Sequence, residues 1–356
     1  MVVRPIAVVT DLAVVGAGVL GLTAALWARH RHPAWTVLVL DRQQVLHGAS
    51  GHSLAIAAPS GHTPRVRELA LRSGQLYRSG VFREAVRDRA GLVVCRAATA
   101  RALSHHLTAP VRRLPAIEPY EAGLLGELRT DAGDEVYAVG RGFLHVEVAA
   151  LAAWVDIVPD WPVVSCIRTR SCWELRGPGG AVHRARRVVV AVGPWAAPEV
   201  GDRSGAAWGA GGGRVKRVAV LRVPAARATA SDPLVVFPEE NLLLAPADGY
   251  VEVSFLRTRW RDVPLSGDGQ PGADPADQGL TDEDLAEGRS ALAARGPSLA
   301  ARATVGRAFW DTYYPDAEPR VTSPPGDRSL VRLDGGAGTG VRLAPALAEA
   351  AIGAVE

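Results

Sequence analysis

Leu12-Ala13-Val14-Val15 runs without a polar side chain into Gly16-Ala17-Gly18-Val19-Leu20-Gly21, and Leu22-Thr23-Ala24-Ala25-Leu26-Trp27-Ala28 follows. The first piece reads as a buried parallel strand and the last as a helix. Val37-Leu38-Val39-Leu40 is a second apolar run, and it ends on Asp41 with Arg42 beside it. A lone G-x-G-x-x-G says little. Strand, glycine turn, helix, strand and acid in about thirty residues specify a βαβ unit that binds a dinucleotide. Gly16 permits the tight turn, Gly18 lets backbone approach a pyrophosphate, and Gly21 lets helix pack on strand. Val19 and Leu20 open the helix, whose free N–H groups and positive dipole end favour phosphate. Asp41 is placed to accept hydrogen bonds from ribose hydroxyls.

Composition narrows the rest. The chain has 356 residues, 48% hydrophobic and 22% charged, enough apolar surface for one or two cores and too much for disorder. No run of about 18 apolar residues occurs, so no spanning helix and no membrane partner are expected. Met1-Val2-Val3-Arg4-Pro5 lacks the features of a signal peptide, which makes the cytoplasm the expected compartment. Cys95, Cys166 and Cys172 form no C-x-x-C and read as idle thiols. The net charge is +3, yet of 40 lysines and arginines only Lys216 is a lysine. The arginines are scattered, with no basic block interleaved with aromatics, so no nucleic-acid partner is expected. His105-His106 would point opposite ways on a strand, and no third ligand has suitable spacing, so no metal is expected.

Further along, Gly48-Ala49-Ser50-Gly51-His52-Ser53 is a small-residue turn suited to close ligand approach. Pro64–Tyr77 reads as a helix. Arg187–Val192 is a buried strand running into Gly193-Pro194-Trp195. Ser204–Arg214 reads as a glycine-rich connector, and 262–282 as a mobile polar loop able to act as a lid. Val215–Val223 and Tyr250–Phe255 alternate like strands with one wet face. A helix is expected from Thr281 to Arg295, with Thr281 as its N-cap. Val331-Arg332-Leu333 is a last strand, followed by Gly335-Gly336-Ala337-Gly338-Thr339-Gly340 and a helix from about Leu343 to Val355.

In this order the segments V-V-G-A-G-V-L-G-L with Asp41, G-A-S-G-H-S, R-V-V-V-A-V-G-P-W and D-G-G-A-G-T-G-V-R-L-A-P resemble the FAD-dependent D-amino-acid oxidase, glycine oxidase and sarcosine oxidase family. The resemblance implies an α/β fold, α+β overall. A Rossmann-like FAD-binding domain would come from 1–85, 141–203 and 322–356. A discontinuous substrate domain on a mixed or antiparallel sheet would come from 86–140 and 204–321. It implies noncovalent FAD held by Gly16, Gly18, Val19, Leu20, Gly21, Asp41 and Arg42, by Ala49, Ser50, His52 and Ser53, by Gly193 and Trp195, and by Gly336, Gly338, Thr339 and Gly340. Some relatives bond a histidine of the second turn covalently to flavin, which keeps that role open for His52.

The activity implied is oxidation of the C–N bond of an amine or N-substituted amino acid: hydride passes to flavin N5, the imine hydrolyses, and O2 reoxidises the flavin with release of peroxide. Relatives that oxidise free α-amino acids carry a G-L-R-P-x-T-P-D-G-type segment whose arginine grips the carboxylate. Here the stretch is Phe309-Trp310-Asp311-Thr312-Tyr313-Tyr314-Pro315-Asp316, and aligning Pro315-Asp316 puts Asp311 in the arginine's place. An amine near Asp311, walls from Tyr313 or Tyr314, and an elaborated substrate rather than a simple amino acid are expected. Arg257, Arg259 or Arg342 remains available to grip a carboxylate. Lys216 does not match the lysine that sarcosine oxidases place near N5, and reads as a residue opening the substrate-domain sheet. An oxidase for a carrier-borne substrate, on tRNA or carrier protein, and a noncatalytic FAD-holding subunit remain the alternatives.

Overall fold

The computed structural model describes residues 9–115, 124–195, 197–201, 213–257, 260–261 and 279–356. Most of the connector 204–214, most of the loop 262–282, and Arg259 lie outside the described residues.

Two sheets organise the described residues. The first has nine strands, and its centre is parallel, in the order Leu330–Asp334, Val182–Val190, Val9–Val15, Val37–Leu40, Asp156–Val158. Leu12, Ala13 and Val14 are each fully buried because layers cover both faces, which is why the run carries no polar residue. Leu12 and Val14 join one core with the helices Val19–Arg31, Pro64–Tyr77 and Gly340–Val355. Ala13 and Val15 join another with Trp173 and Leu175 from an antiparallel flap.

The second sheet has ten strands. Arg214–Pro224 lies between Val305–Tyr313 and Tyr250–Phe255, antiparallel to both. The sheet continues through Leu242–Ala247 and Leu234–Phe237 to Val86–Arg96, then Asp134–Val146 and Ile56–Ala57. Only the pairing of Leu234–Phe237 with Val86–Arg96 is parallel among those on this path. Side chains alternate as a strand demands. Ala219, Leu221 and Val223 enter a core beneath the helices Asp282–Ala293 and Pro297–Arg302. Lys216, Val218 and Val220 project from the other face, onto a large cavity. The face read from sequence as wet is therefore a cavity wall.

Helix limits follow local chemistry. Thr63 caps Pro64–Tyr77 by accepting the Val66 N–H at 3.1 Å. Thr281 and Asp284 form a reciprocal capping box on Asp282–Ala293. The closing helix starts at Gly340, three residues before the expected Leu343, and contains Pro345. Proline cannot donate to Val341 O. Tyr77 does so instead, its hydroxyl 2.5 Å from that carbonyl, while Ser73 Oγ accepts the Ala346 N–H at 3.1 Å. Cys95, Cys166 and Cys172 are free and buried. Among the described residues no helix is long and apolar enough to cross a membrane.

Candidate active site

The first glycine turn is held from three directions. Gly16 sits at φ +108, and a Cβ there would collide with the Ala191 carbonyl on the neighbouring strand. A Cβ at Gly21 would collide with the Gly16 carbonyl, so that glycine serves helix packing and does not line the cavity. Gly18 gives the helix Val19–Arg31 no side-chain cap. Ser50, 31 residues on, supplies it: its Oγ accepts the Val19 N–H at 2.8 Å. The G-A-S-G turn is thereby fastened to the helix N-terminus. Asp41 accepts the Ala17 N–H at 2.5 Å and the Gln43 N–H at 2.9 Å, so it braces the turn as well as facing the cavity. Burial raises its pKa above the usual carboxylate value, and those two N–H groups oppose the rise. Beside it the Arg42 guanidinium stacks 3.7 Å over the Trp195 ring.

The second glycine turn is tied to the end of the strand Val305–Tyr313. Asp311 Oδ2 accepts the Gly338 N–H at 2.6 Å, Oδ1 accepts the Thr312 N–H at 2.8 Å, and Thr312 O accepts the Ala337 N–H at 2.9 Å. Asp334 accepts the Gly335 N–H at 2.8 Å and the Tyr314 hydroxyl at 2.9 Å, and pairs with Arg332 at 2.5 Å. Two amides of this turn, those of Ala337 and Gly338, are thus spent on the strand. The first-turn amides of the helix that follows have no intrahelical partner.

Between these turns and the second sheet lies a cavity of about 1480 Å³. Gly16, Gly18, Val19, Leu20, Asp41 and Arg42 line it. So do Ala49, Ser50 and Ser53, then Gly193 and Trp195, then Gly336, Gly338 and Gly340. Asp311 and Tyr313 face it from the strand, two residues apart on one side. Burial pushes Asp311 up to about 6, against the pull of its two N–H donors and of Lys216.

Besides Gly21, four candidates stand differently from the reading of the sequence. The Tyr314 ring packs where a Gly335 Cβ would be, away from the cavity, because the strand has ended at Tyr313. Thr339 Oγ donates to Gly336 O at 2.5 Å inside its own turn. His52 is outside the lining, and its carbonyl accepts Arg307 Nε at 2.6 Å. Arg257 reaches the lining, but Asp284 and Glu287 hold its guanidinium, the latter at 2.9 Å. No free fork is left there for a substrate carboxylate.

Two residues matter more than their sequence context showed. Lys216 is 6% exposed, lines the cavity and is the cross-strand partner of Asp311. Arg342, on the first turn of the closing helix, also lines it. Its Nη1 donates to Ser60 O at 2.8 Å, its Nε is buried without a partner, and burial pushes it down to about 10. Among the described residues no carboxylate pairs with it.

A family model described as DAO, FAD dependent oxidoreductase, matches residues 11–353. The chain belongs to that family. As an FAD-dependent oxidoreductase it has structural neighbours of several kinds. Glycine oxidase from Geobacillus kaustophilus superposes with a TM-score of 0.71 at 18% identity, over 96% of this chain and 92% of that one. Fructosyl amine:oxygen oxidoreductase (amadoriase I) from Aspergillus fumigatus gives 0.72 at 18%, over 98% and 86%. L-α-glycerophosphate oxidase from Mycoplasma pneumoniae, with FAD bound, gives 0.73 at 14%, over 98% and 95%. At these identities the likeness is one of fold. No curated protein matches the chain. The residues of this oxidoreductase fit its cofactor: Gly16, Gly18 and Leu20 line the cavity beside a helix N-terminus, a setting that suits a pyrophosphate. Gly193, at φ +63, has no heavy atom within 4 Å of where a side chain would begin.

Proposed function

We propose that this flavoenzyme oxidises the C–N bond of an amine or N-substituted amino acid larger than a free simple amino acid. The first sheet and its helices form the FAD-binding half, and the second sheet supplies the substrate wall. Gly16, Gly18 and the Leu20 amide would hold the pyrophosphate, with Val19 lining the same place while its own N–H stays on Ser50. Asp41, Arg42 and Trp195 hold the adenosine end, and the turn Ala49–Ser53 with Gly336, Gly338 and Gly340 holds the flavin end noncovalently. FAD, when bound, would supply the two-electron acceptor for hydride lost from the carbon beside nitrogen; the imine would then hydrolyse, and O2 would be the final acceptor, leaving as peroxide.

The chain's own residues orient the substrate. Asp311 sits at the seam between the second glycine turn and the second sheet, and this placement carries the reading. A carboxylate there attracts the substrate nitrogen, and Tyr313 bounds the same corner. Arg342, desolvated and unpaired with any described acid, gives a substrate carboxylate a fork to dock on. The walls left beyond the cofactor, more than charge, argue against simple amino acids. Past the glycine turns the cavity continues along Leu103, Val236 and Leu243. Those apolar walls suit an apolar body and exclude water from the reacting centre.

The test is peroxide release from purified holoprotein offered a graded series, from glycine, sarcosine and D-alanine to N-substituted amino acids with large apolar groups. The larger members should give the higher kcat/KM. Equal turnover of glycine and the largest amine would sink the size argument, and no peroxide from any amine would sink the C–N reading.

A further inference from the structure

We propose that Lys216 is the catalytic base that takes the proton from the substrate's ammonium group before oxidation. This rests on the C–N reading above and assigns a residue to it.

The first observation is compositional. Of the 40 lysines and arginines in this chain, one is a lysine. Among the described residues the other buried cations are arginines, one of them on the same strand. Arg217 is bound to Asp284 at 2.9 Å, Arg257 to Asp284 and Glu287, and Arg295 to Asp134 and Glu240. Arginine keeps its proton in proteins, whereas a buried lysine gives its proton up readily. A chain that answers every other call for cationic charge with arginine keeps lysine at the position where a removable proton is of use.

The second observation is geometric. Lys216 projects from the cavity face of Arg214–Pro224, directly across from Asp311 on Val305–Tyr313. Its ammonium lies 5.0 Å from the Trp260 ring centroid and 5.6 Å from that of Tyr313. Unlike its arginine neighbours, it makes no salt bridge to a described carboxylate. The charges facing it are those of Asp311 on the adjacent strand and Arg257 after Tyr250–Phe255. Asp284 and Glu287, from the helix Asp282–Ala293, are engaged with Arg257, and Asp284 also with Arg217. Arg214, on its own strand, stacks on Trp260. Burial, then the Arg257 charge, lower the lysine's pKa, and Asp311 opposes them. Asp311 draws a cationic amine to a place beside the lysine.

The step balances simply. The N–H bond of the substrate ammonium breaks, its electron pair stays on the substrate nitrogen, and a new N–H bond forms on Lys216 Nζ. The charge moves from substrate to lysine, and no electron changes hands. The substrate nitrogen then has the lone pair that hydride loss from the neighbouring carbon requires. Lys216 returns the proton to water after turnover.

A single lysine makes the test direct. Protein grown with [ε-13C]lysine carries one labelled side chain, so one resonance reports Lys216 in apoprotein and holoprotein without any substrate. Its midpoint should lie below the ordinary 10.5, and lower still in Asp311→Asn. A midpoint at or above 10.5 in the wild type overturns the proposal whatever amines the enzyme accepts. Stopped-flow then separates the half-reactions. Lys216→Arg and Lys216→Gln, each checked for a normal flavin spectrum, should slow flavin reduction roughly 100-fold at neutral pH. Reoxidation by O2 should stay within about threefold of wild type. Unchanged reduction with slowed reoxidation overturns the assignment. An enzyme that no amine reduces fails the C–N reading instead, while the resonance still reports the lysine.

Discussion

The Tyr77 hydroxyl donates to Val341 O, the carbonyl that Pro345 leaves without its helical partner. One residue on, Ser73 accepts the Ala346 N–H. A proline inside a helix ordinarily costs about 3 kcal/mol or more, through the missing donor and the ring's clash with the preceding turn. Here the helix Pro64–Tyr77 satisfies both disrupted positions and so fixes the first turn of the closing helix, from which Arg342 reaches the cavity.

Tyr77→Phe therefore orphans a buried carbonyl. It should lower unfolding free energy by about 1–3 kcal/mol, read as a shifted urea midpoint at unchanged m-value. A midpoint equal to wild type would mean that the carbonyl finds another donor.

Asp41 braces the Ala17 amide and lines the cavity, at the end we propose for adenosine. Asp41→Ala should weaken FAD retention by about 1–3 kcal/mol, the scale of hydrogen bonds to a charged acceptor. Asp41→Asn, which keeps one acceptor oxygen, should recover part of that loss. Fluorescence titration of apoprotein with FAD measures both. Equal affinities in all three proteins would remove Asp41 from the cofactor site.

How legible the molecule was depends on the range of the contact. The βαβ unit could be read because strand, turn, helix and acid are neighbours in sequence and each has its own chemistry. Pro64–Tyr77 and the Thr281 cap were readable for the same reason. Ser50 capping Val19 was not, since nothing in G-A-S-G names a helix end 31 residues earlier. Tyr313 and Tyr314 were indistinguishable until the strand's alternation and its end were known. Lys216 read as an ordinary strand residue because its meaning comes from Asp311, which the register sets opposite it. Arg257 and Arg342 were equivalent as sequence, and only the partners Asp284 and Glu287 separate the occupied guanidinium from the open one.

That difference predicts a split in kinetics. Arg342→Met should raise KM for amines bearing a carboxylate by about 10- to 100-fold, the scale of one charge-assisted pair at about 1.5–3 kcal/mol. Amines without a carboxylate should keep their KM. Arg342→Lys, which cannot offer the bidentate fork, should fall between. If both classes of amine suffer alike, Arg342 supports the helix and not the substrate.

Asp311 predicts a dependence on pH. Its carboxyl is pushed up to about 6, mainly by burial, with a further rise from the Asp334 charge. An acid whose folded pKa exceeds its unfolded value contributes stability that is complete below the unfolded pKa, near 3.8. That contribution is lost as pH rises through the folded pKa, because the native state then holds the proton more tightly than the unfolded chain. Asp311→Asn should accordingly show a flatter stability profile than wild type between about pH 4 and pH 6. Below pH 4 the variant should be the weaker of the two, since one amide oxygen must serve the Gly338 and Thr312 amides. The gap should narrow as pH rises from about 4 to 6 and hold level above that, where wild type bears a buried charge. In stopped-flow with a good amine, wild-type flavin reduction should rise with pH through a group near 6, as ionised Asp311 gathers the cationic substrate. Asp311→Asn should lose that limb while keeping the flavin spectrum. A limb near 6 that persists in the variant belongs to another group, and would remove Asp311 from the reacting corner.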